Sequence, residues 1–215
     1  GDQETGGVLL CAHHDAVLGT TGAEDNAAGV GCILAIAEAL VDLKPRRSLK
    51  FVSFGTEEQL SQGAFTYVEL PANRADELDL VLNIDSVGCW TGVNEVYLTG
   101  SAQLHQYLQQ QMDALRWPGI IRDEPDGFSD HFPFTVKGVP AAWFFRRNCA
   151  GGRWFHHSIH ETVDVLSPQV LADCASLCAT VARDVATAPK LPYVRTLPPA
   201  TRRAVQAVAD GWLKV

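Results

Sequence analysis

Residues 7–15 read GVLLCAHHD, an unbroken apolar run that ends abruptly in two histidines and an aspartate. A short run without polar alternation is the pattern of a strand buried on both faces. Its polar tip then lies at the strand's carboxyl end, where functional groups collect in parallel α/β sheets. The chain repeats this arrangement. SLKFVSF (48–54) precedes Glu57 and Glu58, LDLVLNID (78–85) ends in Asp85, and VPAAWFF (139–145) leads to Arg146, Arg147 and histidines at 156, 157 and 160. A further strand is expected over 95–98.

Between these runs the period changes. Val30, Ile33, Leu34, Ala37 and Val41 recur at helical spacing within 26–43, and Lys44-Pro45 closes that helix. Helical stretches are also expected over 63–70, 102–117, 130–136 and 168–186, and over 202–212 after a Pro-broken linker. Strands alternating with helices predict an α/β fold, a three-layer α/β/α sandwich around a mixed, mostly parallel central sheet. One domain is expected over 1–190, with 191–215 as a linker and short terminal helix.

The bulk numbers agree with one buried core: 215 residues, 47% hydrophobic and 20% charged. A net charge of -8 argues against nucleic-acid or anionic-membrane partners, which select basic faces. No stretch approaches the roughly 20 apolar residues of a membrane span. The opening GDQETGG carries no signal pattern; the natural protein is expected to begin earlier, so the compartment stays open. Six cysteines form no C-x-x-C pair, and Cys174 and Cys178 stand four apart on a helix, so buried free thiols are expected and not a thiolate metal site.

The strand-tip residues carry the chemistry. On a strand end His13 and Asp15 point to one side and His14 to the other. His13 suits a metal ligand whose second ring nitrogen is oriented by Asp15, although histidines at a strand tip are often only surface groups. Asp25, in GAEDNAAG, is either a helix N-cap or a ligand. Glu57-Glu58 is either a solvated acidic pair or a ligand beside a free base. Asp85 closes an apolar strand, where a carboxylate needs a cation or a hydrogen-bond partner. His157 lies in HHSIHE, a cluster hard to explain as core. Two histidines and three carboxylates, each following a separate sheet element, suit a two-zinc hydrolytic site, although cobalt or manganese also fits such ligands.

Taken in order, AHHD (12–15), GAEDNAAG (22–29), FGTEE (54–58), NID (83–85), SDHFPF (129–134) and HHSIHET (156–162) resemble the M28 family of zinc peptidases. The resemblance implies a zinc-dependent exopeptidase of zinc-peptidase-like fold, an aminopeptidase first, with two Zn2+ per chain and a peptide substrate. It implies that His13 and Asp85 hold one zinc, that Glu58 and His157 hold the other, and that Asp25 bridges them. Glu57 would be the general base that takes a proton from water and returns it to the leaving amine. Asp15 would support His13. Asp130 and His131 match a motif near the active-site rim; His14, His156 and His160 are expected as neighbours, not ligands.

Substrate contacts are less defined. Trp143, Phe144, Phe145, Trp154 and Phe155 either line an apolar pocket or belong to the core. Arg146, Arg147 and Arg153 would suit a substrate carboxylate, and so a carboxypeptidase or dipeptidase. With Asp130, His131 and Trp143, Arg146 completes the set of expected substrate-binding residues. A glutaminyl cyclase with a single zinc is the rival on the same fold, opposed by the Asp25-Asn26 pair and the intact His13 and Asp85. A non-catalytic binding domain is opposed by the complete ligand set. A monomer is expected; the compartment stays open, and the resemblance alone leans to a secreted or periplasmic protein. Family catalytic domains carry further elements ahead of the AHxD segment, so an exposed edge strand is expected here.

Overall fold

The computed structural model describes residues 6–147 and 155–212. In chain order it contains β1 (Gly7–His13), α1 (Ala28–Ala39), β2 (Ser48–Phe54), α2 (Gln62–Glu69), β3 (Leu80–Ile84), β4 (Val93–Thr99), α3 (Ala102–Ala114), β5 (Ile120–Arg122), α4 (Phe132–Val136), β6 (Ala141–Arg147), α5 (Pro168–Thr187) and α6 (Pro199–Trp212). The six strands form one sheet in the order β2-β1-β3-β6-β4-β5. β1 pairs in parallel with β2 and β3, and β3 with β6. β4 runs antiparallel to β6 and carries β5 in parallel. The sheet is therefore mixed, as expected, with its parallel half centred on β1.

Every residue of β1 is buried, because its two faces enter two different cores. Val8, Leu10 and Ala12 join α1, α3 and α5 through Ile33, Leu108, Leu177 and Val181. Leu9 and Cys11 point the other way, into Ala64 and Val68 of α2 and Phe134 of α4. That alternation builds the three layers. β2 lies at an edge of the sheet, half-exposed along most of its length. Lys50 on this edge reaches the Asn73 carbonyl at 2.7 Å; a lysine is a common guard on an unpaired edge.

Several boundaries differ from the sequence reading. The first helix begins at Ala28, two residues later than expected, because Asp25 (φ -115°, ψ 86°) and Asn26 (φ -142°, ψ 38°) are not helical. The Asn26 side chain accepts from the Gly29 N–H at 3.0 Å and donates to the Ile84 carbonyl at 3.0 Å, fastening the helix start to the tip of β3. Gly29 is required there: a Cβ would lie 2.3 Å from both Asn26 Oδ1 and the Ile84 carbonyl. The last helix starts at Pro199 and not at 202, a position that suits proline's fixed φ. The stretch from 191 packs back on the domain: Tyr193 donates to the Asp79 carbonyl at 3.2 Å, and Leu197 and Val205 are buried.

β5 was not foreseen. Its three residues are held by charge: Glu95, 2% exposed, receives Arg122 at 2.7 and 2.9 Å and Arg147 at 3.1 and 3.2 Å. The hydrogen bonds from Arg122, and then those from Arg147, hold the Glu95 carboxyl down at about 2 against an ordinary value of 4.5. A depressed carboxylate stabilises the fold above its unfolded value and loses that contribution as pH falls. Glu95→Gln should cost about 1–3 kcal/mol at neutral pH in a urea melt, discounted because both guanidinium groups reach solvent. It should also flatten the loss of stability between about pH 4.5 and pH 2. An unchanged acid limb in the variant would contradict this account.

Candidate metal centre

The carboxyl ends of β1, β2 and β3, the loop before α1 and the turn after β6 converge on one cleft. His13 ends β1 fully buried. Its Nε2 lies 3.0 Å from Asp25 Oδ1 and 3.3 Å from Asp85 Oδ1, with Glu57 Oε2 at 3.9 Å. The other oxygen of Asp25, Oδ2, faces a second group, His156 Nδ1 at 2.8 Å and His157 Nε2 at 3.3 Å. His157 Nε2 also meets Glu58 Oε2 at 3.0 Å. His13, Asp25 and Asp85 form one potential metal-holding group; Asp25, His156 and His157 form another. Asp25 belongs to both.

The electrostatics suit a cation. Burial raises Glu57 to about 9, helped by the charge of Asp85, and burial also raises Glu58. Glu58 Oε1 is buried without a hydrogen-bond partner, which is costly unless a cation meets it. Burial alone would lower His13, but Asp85 and Asp25 override it and push the imidazole up. Burial likewise opposes ionisation of Asp25, yet hydrogen bonds from His13, His156 and His157 hold it well below the usual carboxylate range. Among the described residues these acids have histidines as their only cationic neighbours, and such an inward-facing set of nitrogen and carboxylate donors fits zinc or a similar divalent ion.

Supporting contacts hold these ligands. Asp15 meets His13 Nδ1 through its carbonyl at 3.1 Å and its carboxylate at 3.4 Å. That carboxylate also accepts the backbone N–H groups of Glu57 at 3.1 Å and Glu58 at 3.3 Å, so Asp15 orients two strand tips together. On the far side, Asn83 donates to Ser129 at 2.5 Å, and Ser129 donates to Asp85 Oδ2 at 2.5 Å. Sequence reading assigned no role to Asn83 or Ser129, although both stand inside the segments NID and SDHFPF. Trp143 adds a third support, its indole donating to the Asp85 carbonyl at 3.3 Å. His156, expected only as a neighbour, stacks on His157 at 3.5 Å and reaches the shared carboxylate.

The expected substrate residues divide. Trp143 lines the cleft, which has a volume of about 350 Å³, together with Leu60 and Phe128. Phe144 and Phe145 are buried in the sheet instead. Asp130 and His131 do not stand at a rim: both are fully buried. Burial raises Asp130 to about 8 and lowers His131 to about 3, and His131 stacks on Trp143 at 5.5 Å. They lie behind the cleft wall, in the turn that leads into α4, whose Phe132, Phe134 and Thr135 pack inward. Arg146 is also corrected: its guanidinium binds the Cys89 carbonyl at 2.7 Å, the Thr91 carbonyl at 3.2 Å and Asn94 Oδ1 at 2.5 Å. Arg147 is committed to Glu95. Arg153 and Trp154 lie outside the described residues.

Two ligand groups sharing one carboxylate, at the carboxyl ends of parallel strands in an α/β/α sandwich, define a metal-binding protein with an acid-lined cleft. The chain belongs to peptidase family M28, whose family model matches residues 1–182. It is 25% identical over 193 residues to Aminopeptidase YwaD of Bacillus subtilis, covering 86% of this chain and 42% of that protein. It is 28% identical over 183 residues to Carboxypeptidase Q of Xenopus laevis, covering 83% of this chain and 38% of that protein. Among solved structures, a zinc aminopeptidase from Bacillus subtilis superposes with a TM-score of 0.77 at 20% identity, covering 90% of this chain and 50% of that one. A glutaminyl cyclase of Porphyromonas gingivalis gives a TM-score of 0.72 at 21% identity, covering 84% of this chain and 72% of that one. The chain thus spans less than half the length of both named relatives.

Proposed function

We propose that this chain is the catalytic domain of a zinc-dependent exopeptidase, an aminopeptidase, that binds two zinc ions. The observation that carries the reading is Asp25, whose two oxygens face separate ligand groups. His13 and Asp85 would hold one ion with Asp25, and Glu58 and His157 the other. Bound there, the metals would supply Lewis acidity, polarising the scissile carbonyl and acidifying a water.

The remaining work falls to side chains. Glu57 lines the same cleft with no ligand role of its own, so its carboxylate is placed to take the water's proton and deliver it to the departing amine. Asp15 fixes the Glu57 backbone and so the position of that base. Trp143, Leu60 and Phe128 give the cleft an apolar wall suited to an apolar first side chain.

Amino-terminal specificity follows from charge. Among the described residues the cleft is lined by Asp25, Glu57, Glu58 and Asp85 and by no lysine or arginine that could bind a terminal carboxylate. Arg146 and Arg147, which would have favoured a carboxypeptidase, are bound elsewhere. The test compares a free-amine peptide such as Leu-Gly-Gly with its acetylated form on the zinc-loaded chain. Hydrolysis of the free form, faster by at least about 100-fold, is expected, since losing one charged contact costs about 2–5 kcal/mol. Equal rates would end the aminopeptidase reading, and one zinc with cyclisation of N-terminal glutamine would replace it.

A further inference from the structure

Glu161 is fully buried, yet no lysine or arginine pairs with it in the structure's ion pairs among the described residues. Its carboxylate is satisfied by backbone. Oε1 accepts the Asp25 N–H at 2.7 Å, and Oε2 accepts the His157 N–H at 3.2 Å. The Glu24 N–H contributes a third such bond. Asp25 and His157 stand on segments far apart in sequence, the loop after β1 and the turn after β6. Their side chains also meet, His157 Nε2 lying 3.3 Å from Asp25 Oδ2.

The local backbone needs this anchor. Asp25 is non-helical in an otherwise helical turn, and His157 has φ 56°, a left-handed conformation that costs a β-carbon residue free energy. Bonds from a buried carboxylate to N–H groups are charge-assisted and short, strong enough to hold both backbones in place. The Thr21 hydroxyl donates to the Glu161 main-chain carbonyl, tying the same two segments by a route independent of the carboxylate.

We propose that Glu161 is a positioning residue that clamps the Asp25 loop to the His157 turn, setting the separation between these two ligands and so acting more strongly on the metal they would share with Glu58 than on the one held by His13 and Asp85. The proposal rests on the two-zinc reading above. In the first ligand group the clamp touches Asp25 alone: His13 and Asp85 are carried by β1 and the tip of β3, and Asp85 is held by Ser129 and Trp143.

The test is zinc titration calorimetry of the metal-free chain, wild type beside Glu161→Gln. Glutamine keeps the shape, but its amide can accept from only one side and turns a donor toward a second N–H. One zinc should bind about 10- to 100-fold more weakly, the usual penalty for losing a ligand's support, and the other should weaken markedly less because two of its three ligands are held independently. Thr21→Val is the control for general loosening of the loop; it should leave both affinities alone. Melting of the metal-free variant reports folding separately.

Two zinc ions in the variant at wild-type affinity would overturn the clamp, as would equal weakening of both sites or the same split from Thr21→Val. A wild-type chain that binds a single zinc would instead overturn the two-metal reading and the proposal with it.

Discussion

Asp25→Ala should reduce the zinc content of the chain from about two per molecule to one or none and lower peptide hydrolysis on the order of 1,000-fold or more. The effect is large because this carboxylate serves both ligand groups. Oδ1 faces His13 at 3.0 Å, and Oδ2 faces His157 at 3.3 Å. Removing a terminal ligand such as Glu58 deprives one group only, whereas removing Asp25 leaves His13 and Asp85 as one incomplete pair and Glu58 and His157 as another. Asp25→Asn separates charge from shape. It preserves the volume and one carbonyl oxygen but cannot neutralise two cations, so it should retain at most one zinc while melting close to wild type without metal. Metal analysis after dialysis, with both variants beside wild type, checks the prediction. Two zinc ions retained in the alanine variant would remove Asp25 from the bridging position.

Much of this centre was legible because strand tips are predictable. A buried strand must end where the apolar run ends, so His13, Glu57, Glu58 and Asp85 could be placed at one edge of a sheet before any coordinates were known. What escaped the sequence has particular causes. On its own residues Asp25 is open between N-cap and ligand, and what the sequence does not show is the non-helical backbone at 25–26 that places it ahead of the helix. Trp143 supports Asp85 through a backbone carbonyl, a contact that no residue pattern encodes. Arg146 looked like a substrate anchor because its charge would suit a carboxylate, but its three partners come from the 89–91 loop and the start of β4, whose path periodicity does not reveal. Asp130 and His131 were placed at the rim by motif order alone, and the inward packing of α4 buries them. β5 is too short for period to register and depends on Glu95, whose partners lie 27 and 52 residues away.

Glu57→Gln should separate binding from chemistry. Glutamine matches the side chain's size and leaves the five expected ligands in place, so zinc content should stay near wild type while kcat falls about 100- to 10,000-fold, the range for losing a general acid–base group. The metal-free chain offers an independent reading of the same carboxylate. Burial, reinforced by Asp85, raises Glu57 to about 9, so the folded metal-free chain holds a proton that the unfolded chain releases near pH 4.5. A raised folded-state value stabilises the fold fully below the unfolded one, and that contribution is lost as pH rises through the folded one. With chelator present, wild type should therefore melt lower at pH 9 than at pH 5, and Glu57→Gln should flatten part of that slope. Asp130, raised to about 8 mainly by burial, and His13, pushed up by Asp85 and Asp25, contribute to the remainder. Cations beside Glu57 reverse the balance, because positive charge favours the ionised carboxylate that a base requires. Adding zinc should then remove the alkaline loss in wild type, linking the metal's arrival to the activation of its base. A variant that loses both zinc and rate together would make Glu57 a ligand instead.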